Sequence, residues 1–505
     1  MTQPPNGRGR VNGSAHLYSP TNVQAPDPSL LPFLADAVLH GGGSTATTGA
    51  ERRTRSEEPS RLDWTMIASL RAQASEQLSQ AVAAHGHLSK LDQEELGRSI
   101  VLELIDAAMA EAVDAGDSSW TIDHQQAVAR AVFDSLFRLG RLQPLVDDDR
   151  VENIIICGHD NVTLELIDGA QIPGPPVADS DPELIDFLVF LASRSEVNAR
   201  GFSEAQPRLH LRLDDGSRLA AAAWVTPRPS VVIRRHRLME VTLDDLVRRQ
   251  TMTPVVASFL RAAVRARKSV VVSGAQGAGK TTLVRALCAE IDPSEAIGTF
   301  ETEYELHLHL LADRHRIVHA WEARPGSGER GSDGRQAGEF TLDEALYDSF
   351  RFNLSRQIVG EVRGKEIWAM IKAMESGTGS ISTTHASDAI AAIRKLVTCA
   401  MEAGPHVTHT LATSKLAATV DVIVQLDLET RNVGDTSQRT RRVAEIIALD
   451  PGERETGYAT THVFAPDESG AAAPAVLPDA YRSLARHGFD LNGYLAGQRP
   501  EGHRS

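Results

Sequence analysis

The chain has 505 residues, 42% of them hydrophobic and 24% charged, with a formal net charge of −15. Such a composition fits a globular protein of about three domains. Its acidic balance argues against a general nucleic-acid binder, which needs a basic excess to neutralise phosphates. The cysteines, Cys157, Cys288 and Cys399, lie in apolar settings without metal-ligand spacing, as expected in a reducing cytoplasm. No apolar run reaches the ~18 residues of a membrane span, and the first residues do not read as a signal peptide, so any membrane role is expected to be peripheral.

Residues 1–60 are rich in Pro, Gly, Ser, Thr and Asn and are expected to form a disordered tail with one apolar island at 30–39. From 61 to 140 the pattern is helical. Trp64, Ile67, Leu70, Ala74, Leu78 and Val82 recur at three- and four-residue spacing, as do Leu96, Ile100, Leu104 and Met109. Val128, Val132, Phe133, Leu136 and Phe137 make a third face with Gly140 as its stop, which predicts a small helical bundle. Between 141 and 240 the period shortens. Strands are predicted at 151–157 and 162–166, a helix from about Pro182 with Ser180 and Glu183 as a capping box, and strands at 209–213, 218–226 and 230–235. This reads as an α+β domain.

A linker is expected over 241–252, with a helix from Thr242 to about Gln250. Strands and helices then alternate over 253–430, with strands at 269–273, 296–301, 316–321, 356–361, 379–385 and 419–426, the signature of a mostly parallel sheet covered on both faces. The segment 322–340 is Gly- and charge-rich and reads as a loop. The stretch 431–505 reads as a hairpin with its return strand at 442–449, a short helix at 480–487 and a polar tail.

Gly274, Ala275, Gln276, Gly277, Ala278, Gly279, Lys280 and Thr281 spell a phosphate-binding loop between the strand at 269–273 and a helix that begins near Thr282. A glycine-rich turn exposes backbone N–H groups to phosphate oxygens, and the helix start adds its dipole. Lys280 is expected on the β- and γ-phosphates and the Thr281 hydroxyl on magnesium, so the chain is expected to bind a nucleoside triphosphate. Three further strands end in chemistry. The run to Glu361 would place a carboxylate beside the loop, Glu301 heads an acidic cluster with Glu303 and Glu305, and 379–385 ends in hydroxyls and His385.

Together these residues resemble the type II/type IV secretion-system ATPase superfamily, most of all the CpaF/TadA group of Flp (tight adherence) pilus assembly ATPases, over roughly 140–430. Ile358-Val359-Gly360-Glu361-Val362-Arg363-Gly364 matches the family's atypical Walker B strand, and Ser382-Thr383-Thr384-His385-Ala386 its His box. The resemblance implies a RecA-like P-loop NTPase core preceded by an α+β (PAS-like) N-terminal domain and a small helical region. It further implies ATP and Mg2+ as ligands, with Glu301 as the catalytic carboxylate of the Asp box, Glu361 as the Walker B acid sharing the metal with Thr281, and His385 as the His-box residue. Arg218, Arg234 and Arg235 are implied as phosphate clamps, beside Arg363 of the Walker B motif. The family usually has Glu-Asp where this chain has Glu301-Thr302.

The implied activity is that of a cytoplasmic homo-hexameric ATPase. It would power pilus assembly or protein secretion through an inner-membrane platform, in peripheral contact with the membrane's inner face. Two other readings are a nucleotide-gated scaffold with little turnover, suggested by Thr302, and a DNA-translocating conjugation-type ATPase, which the acidic balance disfavours.

Overall fold

Helices and strands begin where side chains satisfy their free ends. In the computed structural model, which describes residues 62–498 apart from 86–87, 117–119, 195–200, 236–239, 327–330, 332–334, 365, 434–435 and 453–456, the chain forms two compact units divided between Gln143 and Pro144. The expected tail 1–60 and its apolar island lie outside the described residues.

The first unit packs α1 (Trp64–His85), α2 (Lys90–Asp114) and α3 (Ile122–Phe137) against one another. Ser89 and Asp92 form a reciprocal capping box on α2, and Thr121 caps α3. Ile67, Leu70 and Ala74 meet Ile100, Val101 and Ile105 of α2 and Val128, Ala131 and Val132 of α3. Of the face expected on α2, Ile100 is buried, Leu96 and Leu104 pack partly buried against the same core, and Met109 is only partly buried; Gly97, Val101 and Ile105 are buried beside them. A Cβ on Gly97 would lie 2.3 Å from the Phe137 ring, so the aromatic side chain of α3 packs onto bare backbone there.

The boundary falls within a turn of helix, α4 (Gln143–Asp147), and the second unit goes on to a small antiparallel domain. Its strands are β1 (Val151–Cys157), β2 (Val162–Leu166), β3 (Gln171–Pro173), β4 (Arg208–Arg212), β5 (Arg218–Ala222) and β6 (Ser230–Arg234), in the order β3-β2-β1-β6-β5-β4. The helix α5 (Asp181–Arg194) buries Leu184, Leu188 and Leu191. At its start Ser180 accepts the Glu183 N–H as predicted, but Glu183 reaches the N–H of Asp179 rather than that of Ser180.

The larger part begins with α6 (Leu243–Arg248), under a Thr242/Asp245 capping box, and α7 (Pro254–Arg265), with Pro254 in its first turn. Then follow β7 (Val270–Gly274), α8 (Lys280–Cys288), β8 (Ala296–Glu301), β9 (Ile317–Glu322), the two-residue strands β10 (Arg324–Pro325) and β11 (Glu339–Phe340), and α9 (Leu342–Ser349). After these come β12 (Arg356–Val362), α10 (Ile367–Glu375), β13 (Ser380–Thr384), α11 (Ala389–Met401) and α12 (His409–Thr419). The chain finishes with β14 (Val422–Val433), β15 (Thr436–Pro451), β16 (Tyr458–Pro466), β17 (Ala472–Pro474), α13 (Asp479–Arg482) and α14 (Leu491–Gly497).

Among the described residues β10 and β11 pair only with each other, and the other nine strands form one sheet, ordered β17-β16-β15-β14-β7-β13-β12-β8-β9. Pairing is parallel from β14 to β9 and antiparallel from β14 to β17, so the strands past residue 430 continue the same sheet. Successive residues feed opposite cores. Val270, Val272, Val422 and Val424 join Phe259, Leu283 and Leu287 on one face, while Val271 and Ile423 join Met370, Ile371 and Leu396 on the other. Helices on both faces of a mainly parallel sheet make this an α/β fold.

β12 breaks the alternation once. Val359 and Val362, an odd number of residues apart, face the same core, because the ladder to β13 slips at Gly360. The bulge re-aims Glu361 at the carboxyl edge of the sheet. Among the described residues no helix is long and apolar enough to cross a membrane.

Candidate active site

Four neighbouring parallel strands, β7, β13, β12 and β8, end at the same edge, and each delivers one chemical group there. That edge is where open α/β sheets hold their ligands.

β7 runs into the glycine-rich loop. Gly274, Gly277 and Gly279 have φ of 155°, 77° and 92°, and a Cβ on Gly274 would lie 2.6 Å from the Leu426 carbonyl oxygen. Only glycine meets both demands at the loop's entry. The loop leads directly into α8, whose first turn carries no side-chain cap, so its N–H groups are left for an anion. Ala275, Gln276 and Gly277 are exposed, whereas Lys280 is buried. Lys280 Nζ donates to the carbonyls of Gly274 and Ala275 at 3.1 and 2.8 Å and lies 3.0 Å from His385 Nδ1. Burial pulls the ammonium down to about 8, against the pull of Glu361 and Glu305.

β13 brings His385, whose Nε2 is 2.7 Å from Glu361 Oε1. Arg363 donates to the other oxygen of Glu361 at 2.6 Å. Burial pushes the Glu361 carboxyl up, but His385 and Arg363 outweigh it and hold it at about 2. β8 brings Glu301, whose Oε1 accepts the N–H groups of Glu305 and Leu306 at 2.8 and 2.9 Å while its Oε2 is buried without a hydrogen bond. Burial drives this carboxyl up to about 7. Glu301 packs on the bulge, where a Cβ on Gly360 would meet its Cγ at 2.9 Å.

Thr281, Glu301, Thr302, Glu303, Glu305, Glu361 and Thr383 line one cleft. The Thr281 hydroxyl donates to Glu305 Oε2 at 3.0 Å. No group of three or more His, Cys, Asp or Glu among the described residues forms a metal cage by itself. The Thr281 hydroxyl and the Glu305 and Glu361 carboxylates in the cleft are oxygen donors of the kind Mg2+ takes, one or two from protein with phosphate and water completing its shell. Thr281, with Glu305 and Glu361 near it, could hold an ion delivered with a triphosphate.

The small domain faces this edge with a row of cations. Arg212, Arg218 and Arg234 are direct cross-strand partners on β4, β5 and β6. Like charges in register destabilise a sheet unless anions face them. Arg212 lies 3.4 Å from Glu322 and its guanidinium stacks on Tyr304. Arg218 contacts Glu303 at 3.2 Å, pairs with Glu305, and donates to the carbonyls of Glu303 and Tyr304 at 2.9 Å. Arg234 is exposed, makes no ion pair among the described residues, and is close enough for its charge to lower the Lys280 pKa.

The model for type II/IV secretion system proteins matches residues 205–454. The conjugal transfer protein TrbB of Rhizobium radiobacter is 30% identical over 251 residues, spanning 48% of this chain and 68% of that protein. The chain belongs to the type II/IV secretion system protein family. PtlH, a type IV secretion system protein of Bordetella pertussis, is 35% identical over 193 residues, 38% of this chain and 53% of its own length. The VirB11 ATPase of the Brucella suis type IV secretion system, solved with sulphate, is 23% identical over 63% of this chain and 98% of that one, with a TM-score of 0.32.

In this family member Lys280, His385, Glu361, Arg363 and Glu301 converge as neighbours, with Arg218 and Arg234 facing them from the small domain. Ala278 is buried inside the loop, and Thr282 follows Thr281 in the first turn of α8. Arg235 does not join them. Its side chain follows the opposite face from Arg234 and donates to the carbonyls of Asp148 and Val151, so it braces the start of β1 instead of clamping phosphate. Two residues carry more than the sequence suggested. Arg212 completes the cationic row, and a charge on an alternating strand reads as a solvated face. Glu305, which reads as one acid of a cluster, is the carboxylate on Thr281. Arg285, buried in α8, donates to the Glu305 carbonyl and fixes the same loop from below.

Proposed function

We propose that this chain hydrolyses ATP between its two domains and works as a homo-hexameric cytoplasmic motor for secretion or pilus assembly, docked on an inner-membrane platform. One observation carries the reading: a sheet edge where Lys280, His385, Glu361 and Glu301 adjoin a row of arginines that includes Arg234, which makes no ion pair among the described residues. Rows of that kind persist when an anion completes them.

The two carboxylates divide the labour. Glu361, held near 2, stays ionised and can orient the attacking water without taking its proton. Glu301, near 7, is matched to accept that proton at neutral pH. Lys280 would transfer from its loop carbonyls to phosphate oxygens, and His385, touching both Lys280 and Glu361, would link the γ-phosphate position to the water-orienting acid. Bound Mg2+ would neutralise charge developing on the phosphates. Arg218 and Arg234 would close the cleft from the small domain. Loss of the γ-phosphate would free them, letting the domains part as rigid bodies around a ring.

The names of the relatives favour conjugation or type IV secretion as the setting, and the pilus branch rests on motif likeness. The net charge of −15 weighs against direct DNA translocation. Thr302, exposed in the cavity, keeps the low-turnover scaffold as the second reading. Steady-state hydrolysis by wild type, Lys280→Ala and Glu361→Gln separates the two. The motor predicts that both variants lose about 10²-fold or more of the rate. Equal rates in all three proteins remove it.

A further inference from the structure

The hairpin β14–β15 touches the phosphate loop, the segment after His385 and the small domain, although none of the chemical groups lies on it. Gln425 of β14 donates to the Ser387 carbonyl at 3.1 Å, just past His385. Its cross-strand partner Glu445 accepts the Ala389 N–H at 2.8 Å. On the other side of the lysine, Arg441 of β15 donates from Nε to the Gly277 carbonyl at 2.8 Å, in the exposed part of the phosphate loop. The same guanidinium lies 3.3 and 3.4 Å from the two oxygens of Glu152 on β1 of the small domain. Two residues earlier, on the same face of β15, Arg439 pairs with Glu165 of β2.

A guanidinium offers donors in a fixed plane, so one group can hold two partners at a set separation. Arg441 thus bonds a carbonyl of the phosphate loop and a carboxylate of the small domain at once. Arg439 makes a comparable tie to the small domain but has no bond to the loop. The pair supplies its own control.

We propose that Arg441 is a positioning residue that ties the phosphate loop to the small domain through Glu152, so that movement of that domain is felt as a change in the loop and in the hold on nucleotide. The tie itself stands on contacts within the chain. Its effect on nucleotide rests on the reading that the loop binds one.

The test uses the full-length chain in two arms. In the first, hydrogen exchange of the loop amides 276–279 is followed without nucleotide. Arg441→Ala and Glu152→Gln are each expected to accelerate it, by about tenfold for loss of a charge-assisted bond. The double variant should go no further than Arg441→Ala, and Arg439→Ala should match wild type. Wild-type exchange in Glu152→Gln would overturn the tie, since Arg441 would then merely support the loop. Acceleration by Arg439→Ala equal to that of Glu152→Gln would also overturn it, since any loosening of the hairpin would suffice. In the second arm, release of a fluorescent ADP analogue should quicken in the same order. A wild type that fails to bind the analogue contradicts the nucleotide reading, while the exchange arm still decides the tie.

Discussion

Glu301 and Glu361 end adjacent strands of one sheet, yet their surroundings push them in opposite directions, to about 7 and about 2. Glu361 meets a histidine and a guanidinium. Glu301 meets backbone N–H groups on one oxygen and nothing on the other. Because the folded pKa of Glu301 lies above its ordinary 4.5, the folded chain keeps a proton that the unfolded chain has released between those values. Stability is therefore fully present below about 4.5 and is lost as pH rises towards 7. Thermal unfolding of wild type and Glu301→Gln across that window should show the wild type falling behind with rising pH, by roughly 3 kcal/mol at most. A difference that does not vary with pH would mean that the carboxyl is not buried as described.

At the scale of elements, the bulge in β12 is what makes Glu361 available. Gly360 is required there because Glu301 occupies the space its side chain would fill. Gly360→Ala should displace Glu301 and reduce kcat about 10²-fold through misplacement alone, with the KM for ATP little changed. A rate near wild type would show that the packing of Glu301 on the bulge is dispensable. Such elements differ in how legible they are. Strands expected at 296–301 and 356–361 stand at Ala296–Glu301 and Arg356–Val362, because fully buried strands are written as continuous apolar runs. β16, with Thr460, Thr461 and His462, is partly exposed and mixes polar with apolar residues, and α14 contains Asn492 and Gly493, so neither has a period that marks it. The return strand expected at 442–449 extends over Thr436–Pro451, where Arg439, Arg441 and Arg442 pair with Glu165, Glu152 and Glu429, partners that lie on other strands. Motif residues were legible because a glycine or an acid at a fixed offset has a local cause. The roles of Arg212, Arg235 and Glu305 were not, since each is decided by a partner distant in sequence or by which face of a strand it follows.

At the scale of the molecule, the small domain supplies arginines and the large sheet supplies lysine and acids, so closure over an anion joins surfaces of opposite charge. Carboxylates already hold Arg218 in the structure, which makes nucleotide a competitor for an existing partner. In the proposed motor, nucleotide should also favour the ring. Native mass measurement of Glu361→Gln should give a hexamer with a non-hydrolysable ATP analogue and smaller species without it. A monomer under both conditions would contradict a self-assembling ring.

The convergence on one triphosphate is tested most directly by a structure of Glu361→Gln with Mg2+ and ATP. The account predicts the γ-phosphate between Lys280 and the Arg218–Arg234 row, the ion on Thr281, and Glu305 turned away from Arg218. A nucleotide bound elsewhere, or bound at the loop with Arg218 still on Glu305 and Arg234 facing solvent, would contradict it.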